Sequence, residues 1–206
     1  MTAVTTRKAN TPNCTLSYPV LTDSQLTRAA ARDATNASRA GNKTKFAATL
    51  VTEPGADIAN LYAAATLAAV EKFGDKIKVG PKTYTAAEAM EKGIIRTPFR
   101  IDAEAKGYAE GSTFFSAKTE TKPGIVHPNL SPMTDAEVEA KMYPGAIVRA
   151  SVTFFGYDVS GNKGVGVALN ALQFVKDGDR LDNRVAAENE FTALDETPAD
   201  ISALVG

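Results

Sequence analysis

The chain has 206 residues, 44% of them hydrophobic, which is enough to bury one full core. Lys and Arg number 23 against 24 Asp and Glu, so the chain is not a simple polycation. No apolar run approaches the roughly 18 residues that cross a bilayer. One cysteine (Cys14) and one histidine (His127) exclude an intrachain disulfide, a Cys-rich zinc site and every motif that needs two histidines.

In chain order, Cys14, Leu16 and Tyr18 alternate with smaller polar residues, and the spacing predicts a strand over 14–18. The polar, Ala/Arg/Asn-rich segment 22–44 reads as a long loop holding a helical turn at most. Phe46, Ala48 and Leu50 then face one side, with Lys45, Ala47 and Thr49 on the other. That is a half-buried strand with a basic outer face, stopped by Glu53-Pro54-Gly55. Ile58, Leu61, Tyr62, Ala65, Ala69 and Phe73 recur at helical spacing, so a helix is expected from Asp57 to Phe73, closed by Gly74. Thr85-Ala86-Ala87-Glu88 and Thr134-Asp135-Ala136-Glu137 are capping boxes that open two short helices. Residues 112–119, 146–157 and 163–176 read as strands.

This mixed order does not suit a doubly wound parallel sheet. It suits a mainly β chain with inserted helices (α+β), built on an antiparallel five-stranded barrel-like core. Residues 1–181 form the expected domain. Residues 182–206 carry six acidic side chains and only Arg184, a net charge of −5 beside a body of net +4, and read as a flexible acidic tail. Gly164-Val165-Gly166 begins like a dinucleotide fingerprint, but Leu169 replaces the third glycine, and no phosphate-cradling GxxxxGK[ST] occurs.

Residues 147–157 are the most informative, because side chains alternate across a strand. Val148, Ala150, Val152 and Phe154 make a wholly apolar face that belongs in a core. Arg149, Ser151, Thr153, Phe155 and Tyr157 make the other. Rings in line with a guanidinium form a platform on which unpaired bases stack while cations hold the phosphates. The competing reading buries both faces and makes Phe155 and Tyr157 core residues. Cations gather at several strand ends: Lys43 and Lys45, Lys118 and Lys122, and Lys163 at the end of the Gly-rich hairpin 158–164. On the platform reading, Lys43, Lys45, Lys118, Lys122, Arg149 and Lys163 contact phosphates, and Phe155 and Tyr157 stack on bases.

Several blocks resemble a phage family of single-stranded DNA-binding proteins. They are Thr15-Leu16-Ser17-Tyr18-Pro19, Lys45-Phe46-Ala47-Ala48-Thr49-Leu50, Lys118-Thr119-Glu120-Thr121-Lys122-Pro123-Gly124 and, most specifically, Tyr143-Pro144-Gly145-Ala146-Ile147-Val148-Arg149 with Tyr157-Asp158 and Gly161-Asn162-Lys163-Gly164. The similarity runs from about residue 12 to about residue 191. It implies an elaborated OB-fold that coats ssDNA without sequence preference in phage replication or recombination, in the cytoplasm of the infected bacterial host. It also implies no enzymatic activity, no cofactor and no metal, and an acidic tail that competes with DNA and recruits replication or recombination proteins. Two other classes stay open from the residues alone. One is a phage structural or scaffold-type oligomeric β protein that does not bind nucleic acid. The other is a hydrolase using carboxylates such as Asp102 and Glu104, for which no paired motif exists.

Overall fold

The computed structural model describes residues 6–36 and 43–181. In chain order these form strands β1 (Lys8–Asn10) and β2 (Cys14–Val20), helix α1 (Asp23–Thr35), strand β3 (Phe46–Thr52), helix α2 (Ala59–Phe73), strands β4 (Ile77–Val79) and β5 (Lys82–Tyr84), and helix α3 (Ala86–Glu91). Then come strands β6 (Phe114–Thr119) and β7 (Gly124–Val126), helix α4 (Asp135–Lys141), and the long strands β8 (Ile147–Val159) and β9 (Asn162–Lys176).

Five strands close into a ring: β2 pairs β3, β3 pairs β6, β6 pairs β9, β9 pairs β8, and β8 returns to β2. The barrel expected from the sequence is therefore present, with one correction. The β6–β9 seam is parallel, Lys118 lying beside Ala168, while the other four seams are antiparallel. The reason is topological. A chain that leaves the ring after β6 and re-enters as a β8–β9 hairpin brings β9 back to β6 in the same direction.

The ring fills with side chains of one parity. Leu16, Ala48, Leu50, Phe115, Ala117, Val148, Ala150 and Val152 are all buried. Beside it, Thr11 bridges the break between β1 and β2 by donating its N–H to the Ala150 carbonyl and accepting the Ala150 N–H on its hydroxyl, each at 2.9 Å. Beyond the ring the β8–β9 hairpin continues, and α2 covers the inner side of this extension. Alanines 64, 65, 68 and 69 are buried along α2 and let the helix approach closely. At Gly156 any Cβ would lie 3.0 Å from the Ala68 carbonyl oxygen. Phe99 closes the space below α2, its ring centroid 4.3 Å from Tyr62, 5.5 Å from Phe115 and 5.8 Å from Phe154.

Both capping boxes form, at Thr85 with Glu88 and at Thr134 with Glu137. The expected loop over 22–44 is corrected: residues 23–35 are helix α1. Thr22 caps it by accepting the Gln25 N–H, while the Gln25 side chain accepts the Leu21 N–H at 2.7 Å. Only Ala29 of this helix is fully buried, which is why no apolar stripe announced it. The short pairs β1–β8, β4–β5 and β7–β9 were also not expected. The acidic segment 182–206 lies outside the described residues. No helix among the described residues is long and apolar enough to cross a membrane.

Candidate nucleic-acid interface

The parity of β8 holds along its length. Val148, Val152 and Phe154 are wholly buried and Ala150 nearly so, whereas Arg149 is exposed and Phe155 is 42% exposed. Ser151, Thr153 and Tyr157 are half-buried on the same outer side. The platform side faces outward, and the reading that sealed both faces is set aside.

What keeps the rings in place is the partner strand. Phe155 lies opposite Gly166 and Tyr157 opposite Gly164. A Cβ built at Gly166 would fall 2.5 Å from the far edge of the Phe155 ring, and one at Gly164 would fall 2.5 Å from Tyr157. Each ring thus occupies the space a cross-strand side chain would fill, spread across the sheet rather than projecting from it. The rest of the outer face of β9 is small: Ala168, then Asn170 at a β-bulge, then Ala171. Asn170 donates to Thr153 Oγ1 at 2.9 Å, fixing the middle of the trough. At the far end Arg149 and Gln173 pair across the ladder, beside a cleft of about 190 Å³ walled by Val126 and Leu130.

Cations flank this trough on both sides. Lys8 is in register with Thr153, Thr153 with Ala168, and Ala168 with Lys118, so one row across the outer face carries a lysine at each end. Arg96 is bridged to Gly164, next to Tyr157, through its N–H to the Lys163 carbonyl and its own carbonyl to the Val165 N–H. Lys8, Arg96, Lys118 and Arg149 are exposed, and no carboxylate among the described residues lies within ion-pair distance of them.

The other cations singled out from the sequence are placed differently. Lys43 and Lys45 both grip Glu120, at 2.9 and 3.0 Å, and these hydrogen bonds hold its carboxyl at about 2, well below the usual glutamate range. Lys122 is held by Asp135 at 2.6 Å and Asp23 at 3.4 Å, and its pKa is raised, chiefly by the Asp135 hydrogen bond. It ties the first turns of α1 and α4 together, so its ammonium already has two carboxylate partners in the free chain. Lys163 pairs with Asp158, one rung beyond Tyr157 and Gly164. Successive side chains point to opposite faces, so Lys163 emerges on the side of α2, over the Phe73 ring, and not on the platform.

Sequence reasoning missed Lys8 and Arg96, because neither sits in a segment with readable periodicity. It also missed Tyr18 as a ring on the surface. Tyr18 is 75% exposed at φ 45°, in a bulge between Ser17 and Val20 of β2. Cys14 lines the barrel, where burial pushes its thiol up to about 11, and His127 sits in a surface loop with Nε2 3.3 Å from Glu137. Asp102 and Glu104 are exposed, and no cluster of three His, Cys, Asp or Glu among the described residues could hold a metal ion.

Comparison with known proteins places the family and the fold. The family of the Enterobacter phage Enc34 ssDNA-binding protein matches residues 28–202. The chain belongs to this family. Protein p50 of Acyrthosiphon pisum secondary endosymbiont phage 1 is 39% identical over 131 residues, 60% of this chain and 69% of p50. The solved ssDNA-binding protein of bacteriophage Enc34, in complex with ssDNA, is 18% identical with a TM-score of 0.62, covering 85% of this chain and 89% of that one. The ssDNA-binding protein gp2.5 of bacteriophage T7 is 12% identical with a TM-score of 0.52, covering 91% and 98%. At these identities the two structures speak to the fold, and they make the five-stranded ring of this Enc34-family chain an OB-fold.

Proposed function

We propose that this Enc34-family chain coats single-stranded DNA without sequence preference during phage DNA replication or recombination, in the cytoplasm of the infected bacterium. It acts as a binding protein, not as an enzyme. One observation carries the reading: Phe155 faces outward across Gly166, in a trough of small residues bordered by cations that have no ion-pair partner among the described residues. Every base has a π-face, so stacking on Phe155 and Tyr157 is tolerant of sequence, and each stack contributes about 1–3 kcal/mol. Lys8, Arg96, Lys118 and Arg149 hold the phosphates. Lys43 and Lys45 join them by exchanging Glu120 for the DNA backbone.

The acidic segment 182–206, net −5, competes with DNA for this basic face and engages replication or recombination proteins. Replacing its six carboxylates by amides in the full chain tightens ssDNA binding, most at low salt.

A gel shift with labelled oligo-dT at two salt concentrations tests the function. Retarded complexes that weaken steeply at the higher salt are expected, because each phosphate contact releases counterions. A chain that ignores oligo-dT and assembles by itself would instead be a structural or scaffold protein.

A further inference from the structure

The β8–β9 hairpin has a second side. Lys163 and Asp158 emerge there, facing the end of α2, where Lys72 and Phe73 close the helix and Lys76, Ile77 and Lys78 lead into β4. Together these residues line an open cleft of about 370 Å³. The Phe73 ring forms its apolar wall, with Lys163 Nζ 5.8 Å from the ring centroid. Four lysines line the cleft with one acidic residue, Asp158, and none of the four has an ion-pair partner among the described residues. The C-terminal dipole of α2 accounts for Lys72. It does not account for Lys76, Lys78 and Lys163, which come from the connection, a strand and the hairpin. Like charges gathered this way repel in the free protein, and a polyanion removes that cost.

We propose that this cleft is a second phosphate-binding subsite for the same DNA strand. The strand leaves the ring platform at Tyr157, turns around the hairpin, and lays its backbone against Lys72, Lys76, Lys78 and Lys163. The Tyr157–Gly164 and Asp158–Lys163 pairs are adjacent rungs of the ladder, so platform and cleft lie on opposite faces of the same end of the hairpin, one residue apart along the chain. This extends the ssDNA-binding reading of the outer face and rests on it.

The test uses the full chain and two oligo-dT probes of about 6 and about 30 nucleotides, one near the short end of the span of about 4–16 that one OB-fold covers and one well beyond it. In the Lys72→Ala/Lys76→Ala/Lys78→Ala variant the short probe binds within about twofold of wild type, because it fills the platform alone. The long probe loses about tenfold, and its log–log salt slope falls by about two, since each single-strand phosphate contact contributes about 0.7. The matching triple Arg variant restores both, which separates lost charge from damaged folding. Equal losses on both probes, or no loss on the long one, overturn the cleft while leaving the platform standing. A wild type that binds neither probe overturns both.

Discussion

The far edge of the Phe155 ring fills the space that a side chain at Gly166 would occupy, across the β8–β9 ladder. The aromatic surface and the glycine are thus one device: the missing Cβ lets the ring lie across the sheet. Gly166→Ala places a methyl group 2.5 Å from the ring tip, and the ring, being the end of a movable side chain, swings away. The expected outcome is several-fold weaker oligo-dT binding with little change in thermal midpoint. Gly145→Ala is the contrast. Gly145 has φ 115°, and an added Cβ would lie 2.8 and 2.9 Å from backbone atoms of Asp179 and Arg180, which cannot swing. That variant should be strongly destabilised in a thermal melt.

Adjacent phenylalanines separate the two faces of β8. Phe154 is wholly buried, so Phe154→Ala should cost about 3–5 kcal/mol. For a chain of this size that lowers Tm by roughly 6–20 °C. Phe155→Ala should leave Tm within a few degrees and weaken oligo-dT binding by the worth of one stack, about 1–3 kcal/mol. Calorimetry and a binding titration on both variants check this, and the opposite pattern would place Phe155 in the core.

The cations should divide by whether their charge is already satisfied. Lys118→Ala and Arg149→Ala each remove a phosphate contact and should lower the salt slope by about 0.7. Lys122→Ala removes an ammonium that Asp135 and Asp23 already neutralise, so affinity and slope should stay at wild-type values. Titrations at three or four salt concentrations read all three variants.

Glu120 supplies a pH signature. Its carboxyl sits at about 2 in the folded chain, against an ordinary value of 4.5, because Lys43 and Lys45 donate hydrogen bonds to it. A depressed folded pKa means the ion pairs add to stability above about pH 4.5, and that contribution disappears as pH falls toward 2. Glu120→Gln should therefore flatten the stability–pH curve in that window. At neutral pH the same substitution frees Lys43 and Lys45, and oligo-dT binding should tighten with a steeper salt slope. If the slope does not change, those two lysines do not reach the DNA.

Much of the scaffold was readable locally. Strand β3, helix α2, both capping boxes and the β8–β9 hairpin follow from spacings of two to four residues and from turn residues inside one segment. Helix α1 was missed because it buries little, although Thr22 and Gln25 stand at capping-box spacing. The strands β1, β4, β5 and β7 are three residues each, too short to show a period.

The sequence by itself determined that one side of β8 is apolar and the other carries Arg149, Phe155 and Tyr157, because alternation is a property of consecutive residues. Which cations stand free beside those rings was decided only when distant strands met. Glu120 reached Lys43 and Lys45, Asp23 and Asp135 reached Lys122, and closure of the ring set Lys8 and Lys118 at the two ends of one row. Charge neutralisation acts across space between residues up to about a hundred positions apart, so no local pattern along the chain encodes it.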